Sequence, residues 1–271
     1  MSRVVVTGGF DDLRSPQVRF LQEASRLGSV HVLLWSDETL ESRNGTPPKF
    51  PQVERQYFLE ALRYVDQVTP LSGILEPGEL PAIEGLLPGT WAIPESEVDA
   101  DIPMLAASHG LRIRIITPQD TAGLTLPDVP PPTPGRKKVI VTGCYDWLHT
   151  GHVRFFEEAS EYGDLYVAAG NDANVLFLKG AGHPLFPEEE RRYMAGSIRY
   201  VHEALITSGE GWMDAEPEIA RIKPDIYLVN EDGDRPEKQV FCREHGLEYV
   251  VLKRLPKAGL PRRQSTDLRG F

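Results

Sequence analysis

Cysteine is scarce in this sequence, since only Cys144 and Cys242 occur among 271 residues. Two isolated cysteines provide neither a disulfide framework nor the paired spacing of a zinc site. We therefore expect a reducing, cytoplasmic setting.

Long apolar runs and an excess of positive charge are also missing. No stretch approaches the roughly 18–20 apolar residues that a membrane-spanning helix needs, and Asp11 and Asp12 interrupt the apolar start too early for a signal peptide. The formal net charge is −11, which argues against a long nucleic-acid-binding surface. The composition, 41% hydrophobic and 25% charged, is typical of a soluble globular protein. We expect neither a membrane span nor a nucleic-acid partner.

What the sequence does contain is an internal repeat. At a constant offset of 135, the segments Arg3–Asp37 and Lys138–Asp172 are identical at 15 of 35 positions, where chance would give about two or three. At an offset of 136 the match resumes between Glu54–Val68 and Glu190–Ala204. These matches indicate a tandem duplication.

A proline-rich stretch separates the two copies. Six prolines fall between Pro118 and Pro134, and such density gives a stiff spacer and breaks both helices and strands. We therefore predict a first domain at residues 1–117, a linker at 118–136 and a second domain at 137–271.

Both copies alternate apolar strands with helical patterns. In the second copy, strands are predicted at Val139–Thr142 and Leu165–Gly170, and a helix is predicted over "EEERRYMAGSIRYV", which follows Pro187. This alternation predicts an α/β fold, with two tandem Rossmann-like, doubly wound parallel sheets. Ligands of such sheets bind at the carboxyl ends of the strands.

The second copy has two histidines three residues apart, His149 and His152, just after its first predicted strand. This places them in the first turn of a helix, where backbone N–H groups and the helix dipole favour an anion. Gly143 and Gly151 would let the backbone approach that anion. Two solvated surface histidines, or two ligands of a zinc site, are the alternatives, although no further zinc ligands are nearby.

The stretch "TGCYDWLHTGHVRFFEEA" resembles the H-x-G-H motif of the nucleotidylyltransferase superfamily, particularly its cytidylyltransferase branch. That branch includes the glycerol-3-phosphate, choline-phosphate and ethanolamine-phosphate enzymes. Further features of the family follow in order as Asp146, Lys179, Arg191, Arg199 and the segment "RRQSTDLR". The resemblance covers nearly all of residues 137–271.

This resemblance implies transfer of a nucleoside monophosphate from a nucleoside triphosphate to a phosphorylated small molecule, with release of pyrophosphate. It implies catalytic roles for His149, His152 and Lys179, and Mg²⁺ bound through the nucleotide phosphates. CTP is the first choice of nucleotide from the tandem layout, and ATP stays open because "STDLR" is also similar to an adenylyltransferase ending. The nucleotide-binding residues it implies are Thr142, Gly143, Cys144, Tyr145, Asp146, Gly151, Arg191, Arg262, Arg263, Ser265 and Thr266.

The acceptor is less defined by the sequence. The segment "NEDGDRPEK" differs from the usual family pattern at the base and acceptor pockets. Candidate residues for that pocket are Asn230, Asp232, Asp234 and Trp212, although an aromatic such as Trp212 also commonly serves packing.

Several of these residues have simpler interpretations. Lys179 could be a solvated loop lysine, Asp146 could cap the following helix, and Cys144 could be a small packed group. Arg199 and Tyr200 recur in both copies, which favours a structural role.

The first copy lacks the motif, because Arg14, Pro16 and Gln17 replace His149, Gly151 and His152. We expect a degenerate, non-catalytic domain that pairs with the second copy as an intramolecular pseudo-dimer, similar to tandem-domain ethanolamine-phosphate enzymes. A homo-oligomer is a further possibility. A non-catalytic nucleotide sensor stays open as another class of function, whereas a dinucleotide-dependent dehydrogenase is disfavoured because neither first strand leads into G-x-G-x-x-G.

Overall fold

Two parallel five-stranded sheets form the framework of the computed structural model, one in each of two units, Met1–Thr125 and Leu126–Phe271. The structure describes residues 2–75, 79–81, 89–264 and 268. Both sheets have the same strand order, with the first strand of each unit in the centre. The predicted fold class is thereby confirmed.

The first unit contains five strands and four α-helices within its described residues. Their bounds are β1 (Arg3–Gly8), α1 (Ser15–Ser25), β2 (Ser29–Leu34), α2 (Asp37–Asn44), α3 (Gln52–Glu60), β3 (Gln67–Pro70), β4 (Gly89–Pro94), α4 (Ile102–Ser108) and β5 (Leu111–Ile116). The sheet order is β3-β2-β1-β4-β5.

The second unit repeats this pattern, and a helix precedes its fourth strand. Its elements are β6 (Lys138–Gly143), α5 (Thr150–Glu161), β7 (Asp164–Ala169), α6 (Asp172–Lys179), α7 (Glu188–Gly196), β8 (Val201–Ile206), α8 (Glu216–Ile222), β9 (Ile226–Asn230), α9 (Pro236–His245) and β10 (Glu248–Leu252). The sheet order is β10-β9-β6-β7-β8. No helix in the described ranges is long and apolar enough to cross a membrane.

Burial on both faces explains the composition of the central strands. Val139, Ile140 and Val141 of β6 are completely buried, as expected for β-branched residues in a parallel sheet covered by helices. One core layer packs Ile140 and Tyr227 against helices α8 and α9. Chain order reverses direction between β6 and β9, so this is the switch point at which doubly wound sheets bind ligands.

The turn after the first strand has the same unusual geometry in both units. Phe10 and Tyr145 occupy equivalent positions with φ values of 49° and 51°, a left-handed conformation that is uncommon for a bulky residue. The preceding glycines, Gly8 and Gly143, leave room for these rings, because an added Cβ would approach them to 2.9 Å and 2.8 Å. This turn therefore belongs to the fold that both copies share.

Helix α7 is shorter than the pattern following Pro187 suggested. It ends at Gly196, and the segment from Ser197 turns into β8, which begins at Val201. Glycine weakens a helix interior, and Val201 pairs with Leu165 of the neighbouring strand.

Part of the proline-rich stretch packs onto the first unit. Arg19 is 3% exposed, and its guanidinium donates to the carbonyls of Asp120 and Gly123 at 3.1 Å and 2.9 Å. Gln22 donates to the Thr125 carbonyl at 2.9 Å. These carbonyls provide hydrogen-bond acceptors for buried polar side chains of α1.

Candidate active site

A cavity of about 150 Å³ lies at the carboxyl ends of β6 and β9. The turn after β6 and the start of α5 form one wall, and residues from β9 to α9 form the other. Its lining residues are Thr142, Gly143, Cys144, Tyr145, Asp146, Gly151, His152, Phe155, Lys179, Val229, Asn230, Asp232, Gly233, Lys238 and Arg254. The structure thus brings together residues that are up to 112 positions apart, from Thr142 to Arg254.

His149 caps the N-terminus of α5. Its Nδ1 accepts a hydrogen bond from the Gly151 backbone N–H at 3.0 Å, and the His149 N–H donates to His152 Nδ1 at 3.4 Å. The two imidazoles stack with centroids 4.0 Å apart. The N–H groups expected to receive an anion are therefore partly engaged by the histidines themselves.

This arrangement defines which nitrogen of His149 carries the proton. Because Nδ1 accepts a hydrogen bond, the proton of the neutral ring lies on Nε2. His149 is only 2% exposed, and its Nε2 is buried and has no hydrogen-bond partner within the described ranges. An unpaired buried donor costs about 1–3 kcal/mol, which a ligand oxygen could offset.

Both histidines are held in the neutral form. Burial, with the charges of Arg254 and Arg263, lowers the pKa of His149 to about 3. Burial and the neighbouring His149 lower the pKa of His152 well below its ordinary value. At neutral pH the pair therefore provides imidazole N–H groups rather than fixed positive charges.

Gly151 is required by the imidazole. A Cβ at this position would lie 2.9 Å from His149 Cε1 and 3.6 Å from the Arg263 carbonyl. The first unit has Pro16 here, where the preceding cap residue is Arg14 instead of histidine. Glycine is thus linked to the motif rather than to the fold.

Asp146 anchors a loop and does not cap α5. Its carboxylate accepts from the N–H groups of Leu185 and Phe186 at 2.5 Å and 3.1 Å and lies 3.2 Å from His183 Nδ1. Asp11 of the first unit makes the equivalent contacts with the N–H groups of Lys49 and Phe50.

Arg191 supports the turn from behind, outside the cavity lining. Its guanidinium donates to the carbonyls of Phe186 and Cys144 at 2.9 Å and 2.7 Å and to Asp172 Oδ1 at 2.7 Å. Arg55 makes the matching set in the first unit, to Phe50, Gly9 and Asp37. Since the copy without histidines keeps this arginine, its contacts serve the fold of the turn.

The remaining predicted residues divide into three groups. Arg262 and Arg263 line a smaller pocket beside the cavity, which shares Gly151 and Arg254 with it. Asp234 and Trp212 lie away from the lining: Asp234 accepts from Gln239 and Tyr249, and Trp212 lies under the Arg235 guanidinium at 4.8 Å. Ser265 and Thr266 are outside the described residues.

Two lining cations were missed by the sequence analysis. Arg254 follows β10 and pairs with Asp232, and Lys238 lies in the first turn of α9. Arg254 could have been found from the rule that ligands gather at the carboxyl ends of strands. Lys238 stood in the quoted segment "NEDGDRPEK", but no motif distinguished it.

The residues give no sign of a resident metal site. No group of three or more histidine, cysteine or acidic side chains in the described ranges could hold a metal ion. Of the carboxylates in the cavity, Asp146 is occupied by backbone donors and Asp232 by Arg254. A Mg²⁺ ion carried by substrate phosphates is compatible with this donor set, because that ion needs few protein ligands.

Comparison with known proteins identifies the family of the second unit. The family model for cytidylyltransferase-like proteins matches residues 140–253. The FAD synthase of Ferroglobus placidus (strain DSM 10642 / AEDII12DO) is 40% identical over 120 residues, which cover 43% of this chain and 75% of that protein. The chain belongs to the cytidylyltransferase-like family. Membership in this family identifies it as a nucleotidyltransferase.

Two other relatives of this cytidylyltransferase-like protein differ in length. The FAD synthase of Aciduliprofundum boonei (strain DSM 19572 / T469) is 34% identical over 136 residues, 49% of this chain and 84% of the relative. The bifunctional protein HldE of Aliarcobacter butzleri (strain RM4018) is 33% identical over 120 residues, 44% of this chain and 24% of the relative. The chain therefore spans most of the first relative and about a quarter of the second.

Proposed function

We propose that the second unit transfers a nucleoside monophosphate from a nucleoside triphosphate to a phosphorylated small molecule. The observation that carries this proposal is the pair of buried, neutral imidazoles at the start of α5, beside a cavity lined by three cations. An oxygen of the acceptor phosphate attacks the α-phosphorus in line. The bond from the α-phosphorus to the bridging oxygen breaks, and the electron pair leaves with pyrophosphate.

In this reaction the protein positions the reactants and stabilises charge. His149 Nε2–H and the His152 ring donate to the triphosphate and meet the charge that grows on the leaving pyrophosphate. A neutral donor suits this task, because it interacts more strongly as the charge develops. Lys179, which ends α6 and interacts with the Cys144 thiol, faces the α-phosphate or the acceptor phosphate.

No covalent intermediate is required. Cys144 is the nucleophilic side chain nearest the turn, but burial raises the pKa of its thiol despite the nearby Lys179 and Arg191. A protonated thiol is a poor nucleophile. Direct attack by the acceptor phosphate is therefore the simpler route.

The binding roles of the remaining residues follow from their positions. Thr142 to Asp146 form the turn on which the phosphates rest, and Arg262 and Arg263 extend the positive surface beyond Gly151. Arg191 holds the turn in place, as its three hydrogen bonds indicate. The segment with Ser265 and Thr266 is proposed to contact the β- and γ-phosphates.

Two nucleotides are candidates for the donor. The relatives named FAD synthase form by name a dinucleotide with an adenylyl group, which favours ATP and a phosphate monoester acceptor. The family description and the tandem layout favour CTP. Both are therefore included in the test below.

We further propose that the first unit, which begins the tandem pair, is not catalytic. At the positions of His149, His152 and Lys179 it has Arg14, Gln17 and Asn44. Arg14 pairs with Asp12 at 2.7 Å, and its N–H is capped by Gln17 at 3.1 Å. The first unit keeps the groups that shape the turn and lacks those proposed for chemistry.

Pyrophosphate release tests this proposal. The full chain is incubated with CTP or ATP, Mg²⁺ and a panel of phosphorylated alcohols, sugars and flavins. We expect release with one nucleotide and one acceptor class, and a loss of about 100- to 1000-fold in His149→Ala and His152→Ala. Arg14→Ala and Gln17→Ala are matched controls at the same positions of the first unit and should retain full activity.

Other outcomes contradict the proposal in distinct ways. Nucleotide binding by calorimetry without release for any acceptor would indicate a sensor. If the first-unit control variants lost as much activity as the histidine variants, the assignment of the reaction to the second unit would be wrong.

A further inference from the structure

Lys238 is a buried cation in the wall of the active-site cavity, and no motif assigned it a role. It is the third residue of α9 (Pro236–His245), and it is 7% exposed. Its ammonium group lies 3.4 Å from Thr142 Oγ1 and 5.6 Å from the centre of the Tyr227 ring. Thr142 is the last but one residue of β6, the strand that leads into the turn with His149 and His152, so Lys238 reaches the site from the opposite wall.

Among the described residues, no carboxylate lies within ion-pairing distance of the Lys238 ammonium. In the described ranges, Arg191 and Arg254 each have an aspartate within ion-pairing distance, whereas the hydrogen bond found for the Lys238 ammonium is to the Thr142 hydroxyl. Burial lowers the pKa of Lys238, with Arg235 acting in the same direction and Asp214, Asp234 and Cys242 opposing it. A buried ammonium without an anion in direct contact is costly, and an anionic ligand would offset that cost.

The first unit shows that the fold does not need this charge. The offset of 136 that aligns His109–Leu111 with the identical residues His245–Leu247 places Ile102 at the position of Lys238. Ile102 is 9% exposed and belongs to the same buried cluster as Trp91. The strand register places Trp91 at the position of Tyr227. An apolar side chain fills this position in the copy without histidines, and an ammonium fills it in the copy with them.

The cations of the site differ in which pocket they line. Arg262 and Arg263 line the smaller pocket beside Gly151, on the side of the α5 N-terminus, and Arg254 lines both that pocket and the main cavity. Lys238 and Lys179 line the main cavity and are not part of the smaller pocket. In-line transfer brings two phosphate groups together, and each needs a cation of its own to offset their mutual repulsion.

We propose that Lys238 binds the phosphate group of the acceptor, a phosphomonoester dianion. This inference rests on the proposed transfer reaction. The triphosphate is bound by the histidines and the arginines beside Gly151, and the acceptor phosphate lies between Lys238 and the α-phosphorus. Lys238 thus selects acceptors that carry a terminal phosphate.

The test compares Lys238→Met and Lys238→Arg with a matched control, Lys223→Met, an exposed lysine at the end of α8 outside the cavity. With the nucleotide and acceptor pair used by the wild-type protein, Lys238→Met should raise the KM for the acceptor about 10- to 100-fold, as expected for one charge-assisted hydrogen bond. The dissociation constant for the nucleotide alone should change less than twofold. Lys238→Arg should recover part of the acceptor affinity, and Lys223→Met should match the wild type.

A second measurement does not need turnover. Calorimetric titration with inorganic phosphate should show about tenfold weaker binding to Lys238→Met than to the wild type or Lys223→Met. If no pair releases pyrophosphate but this difference is found, the transfer reaction fails and the anion site stands. Equal phosphate affinity in wild type and Lys238→Met, or a nucleotide affinity that falls as much as the acceptor affinity, overturns the assignment.

The fold of the variant is checked separately. Because Ile102 fills the equivalent position of the first unit, Lys238→Met should unfold in urea at the same or a higher concentration than the wild type. A large destabilisation would mean that the ammonium supports the structure, and this result would also overturn the assignment.

Discussion

Replacing His149 by glutamine should make the stability of the protein less sensitive to acid. In the folded protein the pKa of His149 is about 3, whereas an unfolded chain binds this proton near pH 6.5. Between these values only the unfolded chain is protonated, so the free energy of unfolding falls as the pH decreases below about 6.5. Above pH 7 both states are neutral, and the effect vanishes.

The expected change in the free energy of unfolding is set by how far the assay pH lies below the pKa of the unfolded chain, which is one unit at pH 5.5. One unit corresponds to about 1.4 kcal/mol, so His149 should lower the free energy of unfolding by about 1.4 kcal/mol at pH 5.5 relative to pH 7.5. His149→Gln lacks this proton. Any loss of its cap to the Gly151 N–H costs roughly 1 kcal/mol at both pH values and cancels in the comparison.

Urea unfolding of the full chain, followed by circular dichroism at pH 7.5 and 5.5, provides the assay. The first unit is identical in both proteins, so its own pH dependence cancels as well. We expect the variant to gain about 1.4 kcal/mol on the wild type between the two pH values. A difference below about 0.5 kcal/mol would refute the buried neutral state of His149. A His149 imidazole that titrates above pH 6 by NMR would refute it as well.

Three further substitutions test the contacts around the turn. Gly151→Ala should displace the His149 ring, lowering kcat at least about tenfold, and the double variant with His149→Ala should be no worse than His149→Ala, as for residues acting as a unit. Arg191→Lys loses the planar fork and should lower the free energy of unfolding by about 2–3 kcal/mol in urea; no change would show that the fork is dispensable. Asp146→Asn replaces the charged acceptor of the Leu185 and Phe186 N–H groups with a neutral amide oxygen and should cost about 1–3 kcal/mol, with faster amide exchange at Leu185, whereas unchanged exchange would contradict the anchoring role.

The fold was predictable because its signals are local or repeated. Apolar β-branched runs such as Val139–Val141 mark buried parallel strands. The sequence offsets between the copies align the helices of one unit with the equivalent helices of the other. The end of α7 at Gly196 was not predicted, because the sequence pattern continues into the segment that becomes β8.

The candidate site was predictable where residues are neighbours in the chain. The spacing of His149 and His152 placed both at the start of a helix, as the structure has them. Their low pKa values depend on burial and on Arg254, with Arg263 also acting on His149, and both arginines approach from more than 100 positions away. Such long-range contacts leave no periodic signal in a single sequence.

Comparison of the two units separates shape from chemistry. Arg191 and Asp146 were predicted to bind nucleotide, yet Arg55 and Asp11 make the same contacts where the histidines are absent. Lys238 went unnoticed because nothing in the segment near it distinguishes a buried lysine from a solvated one. The duplicated chain thus contains its own reference for what the fold alone requires.

The central claim is that the second unit joins a nucleoside monophosphate to an acceptor phosphate. Phosphorus NMR of the reaction tests it most directly, because the product is a pyrophosphate diester with two new coupled resonances alongside inorganic pyrophosphate. The account predicts these signals with the wild-type chain and with Arg14→Ala, and their loss with His149→Ala and His152→Ala. Release of inorganic phosphate without the diester, or full product formation without the histidines, would contradict it.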